Sequence, residues 1–286
     1  MKWWAGSGVR VEMDLVYAQA LQKEGLCDYF SVMAYPWGQI YKRNEFRSVV
    51  RVKPGNISGP GFFLKRHFKT AVKDFLELLL KLKKPRSAGR KEWEAAQRFR
   101  ELGIPTFTPV AWGERSFFLF PRDSFFISLE VSGAEQLEDY LVKMFTPPLD
   151  KPRLHMKKEL IQRVAELART MHNAGLNHRD FYLGHILIKE GNQGPPSLYV
   201  IDLQRVESHK KVGKRLRVKD LAALNFTASS QAVSSSDRLR FYKHYWDRAK
   251  LTKEDKAWIR AVVKKTEKIK EHTEKLLARR RLKATL

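Results

Sequence analysis

The chain has 286 residues, 43% of them hydrophobic and 12% aromatic, which fills one large domain or two lobes and excludes an intrinsically disordered protein. Its formal net charge of +24 points to a polyanionic partner: nucleic acid, anionic lipid headgroups or a phosphorylated substrate. Cys27 is the only cysteine, which excludes an intramolecular disulfide and a Cys-rich zinc cluster.

No apolar run approaches the ~18 residues that span a bilayer, and the first 14 residues lack the apolar core of a signal peptide. The expected setting is a reducing cytosol, with any membrane contact peripheral. In chain order, residues 31–41, 46–52 and 61–68 are β-branched or aromatic runs separated by turn chemistry and read as strands. The stretch 53–61, with three Gly, two Pro and one Asn, joins two of them as a turn. Helical periods follow at 70–84, ending before Pro85, and at 88–103, ending on Gly103. Two more strand-like runs cover 108–114 and 116–131. The remainder is mostly helical. Residues 156–175 place Leu160, Ile161, Val164, Leu167, Ala168 and Met171 on one face and stop at Gly175. Strand-sized runs at 185–190 and 198–203 come next, then helices at 238–250 and 253–281. This layout predicts an α+β, bilobal protein-kinase-like fold, with a β-rich N-lobe and an α-rich C-lobe.

Phosphoryl transfer needs positioning and charge neutralisation more than covalent chemistry. A strand Lys must hold phosphates, a helix Glu must orient that Lys, one Asp must meet the acceptor hydroxyl and another must hold Mg²⁺. Lys65 lies on the third strand-like run, and the helix at 88–103 offers Glu92, with Glu94 open as the alternative phase. His178-Arg179-Asp180 is the tripeptide that opens the catalytic loop of protein kinases. Asp180 falls on a loop after the Gly175 stop. His178 is expected to bond backbone, and Arg179 to brace the segment after the metal Asp. Asp202 follows Asp180 by 22 residues and ends the apolar run 198–201, where a metal ligand belongs. Three features depart from protein kinases. No G-x-G-x-x-G occurs, and the turn at Lys42-Arg43-Asn44 carries basic side chains in its place. Asp202-Leu203-Gln204 replaces Asp-Phe-Gly. His185 stands where an Asn is expected, and a hard cation prefers oxygen. His185 then binds metal weakly, touches nucleotide or substrate, or leaves a single Mg²⁺ held.

As a set, 174–188, 198–207 and 214–224 closely resemble the lipopolysaccharide core heptose kinases, whose loop carries this His and whose metal motif is Ile-Asp-Leu. The resemblance covers roughly residues 30 to 245. It implies ATP- and Mg²⁺-dependent phosphorylation of a heptose hydroxyl in the lipid A-anchored inner core. By position it makes Asp180 the catalytic Asp and Asp202 the metal Asp, with His185 beside the metal. Lys65 and Glu92 become the phosphate clamp, and Glu130, Val131 and Ser132 the adenine-side hinge. The expected division is an N-terminal extension at 1–30, an N-lobe with hinge at 31–132 and a C-lobe with a basic C-terminal helix at 133–286.

About eighteen residues separate Asp202 from the segment at 219–224, and no Ala-Pro-Glu motif appears, which favours a small or glycan acceptor over a polypeptide. Lys210, Lys211, Lys214, Arg215, Arg217 and Lys219, with Arg279, Arg280, Arg281 and Lys283 on the last helix, suit the anionic cytoplasmic face of an inner membrane. That helix has a predicted seam at Trp258, Val262, Ile269 and Leu276. No stable protein partner is predictable. The rivals are a Kdo or aminoglycoside kinase, an inactive kinase-like binding protein and, suggested by charge and by Trp3, Trp4 and Tyr17, a nucleic-acid binder. No nucleic-acid module is recognisable, so no nucleic-acid partner is expected.

Overall fold

Strand-forming runs dominate the first half of the chain and amphipathic helices the second. The computed structural model describes residues 2–4, 8–53, 60–68, 86–117, 120–191 and 194–284. The expected helix at 70–84 and most of the turn at 53–61 lie outside them. The chain divides into two compact units, Met1–Gly133 with Asp202–Gln204, and Ala134–Ile201 with Arg205–Leu286.

The first unit is built on an antiparallel sheet of seven strands: β1 (Lys2–Trp4), β2 (Val9–Met13), β3 (Gln39–Arg43), β4 (Arg47–Val52), β5 (Phe62–His67), β6 (Pro109–Phe117) and β7 (Phe120–Leu129). Their spatial order is β1-β2-β6-β7-β5-β4-β3. Side chains alternate across a sheet. Leu64, Phe125 and Ile127 therefore face a core closed by Leu21, Leu26, Tyr29 and Val32. These come from helices α1 (Ala18–Lys23) and α2 (Tyr29–Ala34) and the link between them. Phe126, between Phe125 and Ile127, turns the other way and packs on Phe107 at 5.6 Å between ring centroids. Helix α3 (Ala88–Glu101) packs against β6 and β7, and Gly89 is required there, because a Cβ would stand 2.2 Å from the Phe125 carbonyl oxygen.

Two expectations are corrected. Residues 31–41 are not one strand. Asp28 accepts the amides of Phe30 and Ser31 while the Ser31 hydroxyl accepts the Asp28 amide, and this capping box starts α2 before β3 begins at Gln39. The run at 116–131 begins inside β6 and continues as β7, with the two strands paired antiparallel. Val9–Met13, within the stretch read as an N-terminal extension, pairs with Ala111–Arg115.

The second unit carries α4 (Leu137–Phe145), α5 (Lys151–Asn173), α6 (Lys214–Thr227), α7 (Ser235–Trp246) and α8 (Lys253–Ala284). Strands β8 (Ala134–Gln136), β10 (Ile186–Lys189) and β11 (Ser197–Val200) form one small sheet, while β9 (Leu176–Asn177) and β12 (Glu207–Ser208) pair as a second. Helices α4 to α7 wall an almost wholly apolar pocket with Leu137, Leu160, Val164, Leu221 and Leu224, beside a buried Lys157–Asp237 ion pair at 2.5 Å. The seam of α8 is buried at Val262 and half-buried at Trp258 and Ile269, but Leu276 is exposed. Leu21 is fully buried under the seven-stranded sheet. Leu21→Ala is expected to destabilise the protein by about 2–5 kcal/mol in urea unfolding, as removal of a core side chain does, whereas an appended segment would lose almost nothing.

Candidate functional site

Alternation along β5 puts Lys65 and His67 on the face opposite Leu64, the face on which α3 lies. From the first turns of α3, Glu92 is fully buried and meets the Lys65 ammonium. Glu94 turns away and pairs with Arg86 at 2.6 Å and Arg90 at 2.8 Å. Burial raises the Glu92 pKa, and Lys65 opposes the rise. Glu92 Oε2 has no hydrogen-bond partner among the described residues. The Lys65 Nζ also stands 3.9 Å from Asp202 Oδ1, and Arg47 Nη2 on β4 lies at 3.9 Å from the same oxygen. His67 is uncharged between these cations: burial, then Arg47 and Lys65, push its pKa to about 3.

Asp202 sits just past β11 with φ +59°, left-handed backbone that Asp tolerates better than most residues. Glu130 ends the N-terminal sheet, its amide bonded to the Gly61 carbonyl at 2.7 Å and its carboxylate paired with Arg51 at 2.6 Å. Val131 and Ser132 follow, before Gly133 at φ +75°.

The His-Arg-Asp loop is held from below by a residue that sequence reasoning did not single out. Asp220 on α6 is fully buried. Its carboxylate accepts the His178 amide at 2.8 Å, the Arg179 amide at 2.8 Å, the Asn177 side-chain amide at 2.7 Å and His172 Nε2 at 3.2 Å. Burial alone would raise the Asp220 pKa, but these donors outweigh it and hold the carboxyl below its usual range. Burial drives His172 the other way, towards neutral imidazole. With Nε2–H given to Asp220, its Nδ1 accepts the Tyr245 hydroxyl at 2.8 Å.

Gly175, at φ +83°, turns the chain out of α5, and a Cβ there would stand 2.2 Å from the His209 carbonyl oxygen. Arg179 adopts φ +72°, uncommon for a long side chain, and its guanidinium donates to Glu207 at 2.8 Å, in the segment that follows Asp202. His178 Nε2 donates to the Ile201 carbonyl at 3.0 Å, tying the loop to the residue before Asp202. Asp180 is held at both ends. Its carbonyl accepts the Tyr182 amide at 2.8 Å and His185 Nδ1 at 2.7 Å, while Arg205 Nη1 donates to its carboxylate oxygens at 2.7 and 2.9 Å.

Arg205, like Arg47 and Asp220, was missed. Its one sequence signal is its place three residues after Asp202. For Asp220 the signal is a carboxylate amid the apolar helical run Leu221, Ala222, Ala223, Leu224.

Among the described residues no group of three or more His, Cys, Asp or Glu side chains forms a metal cage. The His185 Nδ1–H is committed to the Asp180 carbonyl, which leaves Nε2 as the other ring nitrogen.

The profile of the Lipopolysaccharide kinase (Kdo/WaaP) family matches residues 38–245. The chain belongs to this family. Lys65, Glu92, Asp180, His185 and Asp202 all fall inside the matched stretch. Among its relatives is the lipopolysaccharide core heptose(I) kinase WaaP of Escherichia coli, 33% identical over 241 residues that cover 82% of this chain and 89% of the relative. WaaP of Pseudomonas aeruginosa is 34% identical over 224 residues, covering 77% and 81%. A solved structure of WaaP in complex with acyl carrier protein superposes with a TM-score of 0.69 at 28% identity, over 91% of this chain and 98% of that one. The fold is thus the bilobal kinase-like one that the sequence predicts. Within this family scaffold Asp220 is a fully buried charge, and Asp220→Ala leaves its donors unmatched. A loss of about 3–5 kcal/mol is expected in denaturant unfolding, and a change under 1 kcal/mol would show that the loop does not depend on it.

Proposed function

We propose that the protein is an ATP-dependent kinase that phosphorylates a heptose hydroxyl of the lipopolysaccharide inner core. The observation that carries this reading is the Lys65–Glu92 pair beside Asp202, together with a rigidly held Asp180, all within the family match. Asp180 orients the acceptor hydroxyl and accepts its proton, and Arg205 holds that carboxylate in place. Lys65, held by Glu92, binds phosphate oxygens. The backbone at Glu130, Val131 and Ser132 faces the adenine. Asp202 and His185 hold Mg²⁺, and His178 and Arg179 position the loop. Mg²⁺, when bound, neutralises the charge on the terminal phosphates.

The acceptor is a glycan rather than a polypeptide, because only 205–213 lie between the unit containing Asp202 and the start of α6 at Lys214. We also place the protein at the cytoplasmic face of the inner membrane. No described helix is long and apolar enough to cross a membrane. The end of α8, however, exposes Leu276, Leu277 and Leu282 beside Arg279, Arg280 and Arg281, and each basic residue near an anionic surface contributes about 1 kcal/mol. The basic stretch at 210–219 contributes less than its charge suggests. Arg217 is engaged with the Val212 carbonyl and Tyr245, and Lys214 sits 4.9 Å from the centroid of the Trp258 ring. Sequence reasoning offered no stable protein partner, but the solved WaaP structure holds an acyl carrier protein, and we extend that partner to this chain.

In a labelled-ATP assay, core oligosaccharide with an unphosphorylated heptose is expected to take up phosphate, and core lacking that heptose is not; labelling of Kdo would move the assignment within the family. Asp180→Ala is expected to abolish transfer while ATP binding persists, and Asp202→Ala to lose Mg²⁺-dependent ATP binding as well. Full turnover in either variant overturns the kinase reading. Purified acyl carrier protein is expected to co-elute with the protein in gel filtration, and separate elution at micromolar concentration removes that partner.

A further inference from the structure

Glycine-rich loops bind phosphate through backbone N–H groups that the turn leaves pointing at the ligand. The turn joining β3 to β4 has no glycine, and three of its amides, those of Asn44, Phe46 and Arg47, are already spent. Asn44 Oδ1 accepts the amides of Phe46 at 3.0 Å and Arg47 at 2.8 Å, and the Asn44 amide donates to the Arg47 carbonyl at 2.9 Å. A phosphate arriving at this turn meets no amide cradle, so side chains must supply the donors.

Arg47, the first residue of β4, is placed to do so. It lies directly across from His67 in the sheet, and its guanidinium and the Lys65 ammonium stand at the same distance, 3.9 Å, from one oxygen of Asp202. Two cations that share an oxygen neighbour are close enough to grip one phosphate between them. Lys65 already has Glu92, whereas the Arg47 Nε is buried with no hydrogen-bond partner among the described residues. The Arg47 contact with Asp202 is an ion pair too long for a hydrogen bond. A buried guanidinium nitrogen with nothing to donate to is costly, and the group nearest to hand is a carboxylate that a metal ion would claim.

We propose that Arg47 is a ligand for the terminal phosphates of a nucleoside triphosphate, its planar fork taking the place that backbone amides hold in a glycine-rich loop. This rests on the kinase reading and adds to it the residue that replaces the missing loop. A guanidinium gives two parallel N–H donors to a phosphate, where an ammonium gives a point charge.

The test is equilibrium binding of Mg·ATP and of adenosine to the full chain carrying Arg47→Gln or Arg47→Lys. For Arg47→Gln, ATP affinity is expected to fall about thirtyfold, as for loss of a charge-assisted phosphate contact, with adenosine affinity within about twofold of wild type because adenosine carries no phosphate. Arg47→Lys is expected to recover only part of the loss. Equal weakening of ATP and adenosine would mean that Arg47 shapes the unit rather than grips phosphate, and overturns the proposal. So does unchanged ATP affinity in Arg47→Gln, with the kinase reading intact. Wild-type protein that binds no ATP overturns the kinase reading and this inference with it.

Discussion

A carboxylate with no access to water sets the terms for the C-terminal unit. Buried without partners, Asp220 would cost several kcal/mol; with four donors converging on it, it becomes a fixed point. Three of those donors come from the consecutive residues Asn177, His178 and Arg179, so the carboxylate dictates the backbone of the loop and not merely a side-chain contact. The left-handed turn at Arg179 persists because its amide and its guanidinium are both committed, to Asp220 and to Glu207. His178 is then aimed at Ile201, and Asp180 emerges with its carbonyl and carboxylate both engaged. The Asp180 carboxylate is firmly placed because a different, buried carboxylate lies beneath its loop.

What could be read from the sequence was what local patterns encode. Lys65 on a strand, Asp180 after a glycine stop and Asp202 at the end of an apolar run each depend on a few neighbouring residues. Choosing Glu92 over Glu94 needed helix phase, which the sequence left open and the packing of α3 on the sheet settled. The strand expected at 31–41 failed because the aromatic run from Tyr29 to Tyr35 looks β-forming, while three residues, Asp28, Phe30 and Ser31, carry the helix start. Asp220, Arg205 and Arg47 were out of reach for another reason. Each is defined by a partner distant in sequence or by its place in a sheet, and a lone Arg or Asp gives no local sign of being buried or aimed.

The positive charge of the chain also divides by role. Arg47 and Lys65 crowd one carboxylate, Arg66 donates to the carbonyls of Met33 and Tyr35, and Arg238 reaches the Ala228 carbonyl. Such cations hold the fold or the site together and contribute little field at the surface. Those at the end of α8 stand in solvent beside exposed leucines. Net charge therefore pointed to an anionic partner, but only position separates the cations that stand in solvent from those that meet the chain itself.

The pairing of Val9–Met13 with β6 has a bearing on how the chain is made. A ribosome releases β2 about a hundred residues before Pro109–Phe117, an interval of roughly 5–20 s at ordinary synthesis rates. During that interval Val9 and Val11 lack their partner strand, and the apolar side chains of α1 and α2 have only part of the sheet to cover. The N-lobe cannot mature from its first residue onward; it must wait for β6 and β7, the two strands at the centre of the sheet order. Non-local closure of this kind slows folding and leaves sticky surface open to holdase chaperones. The segment that emerges first is thus among the last to find its place.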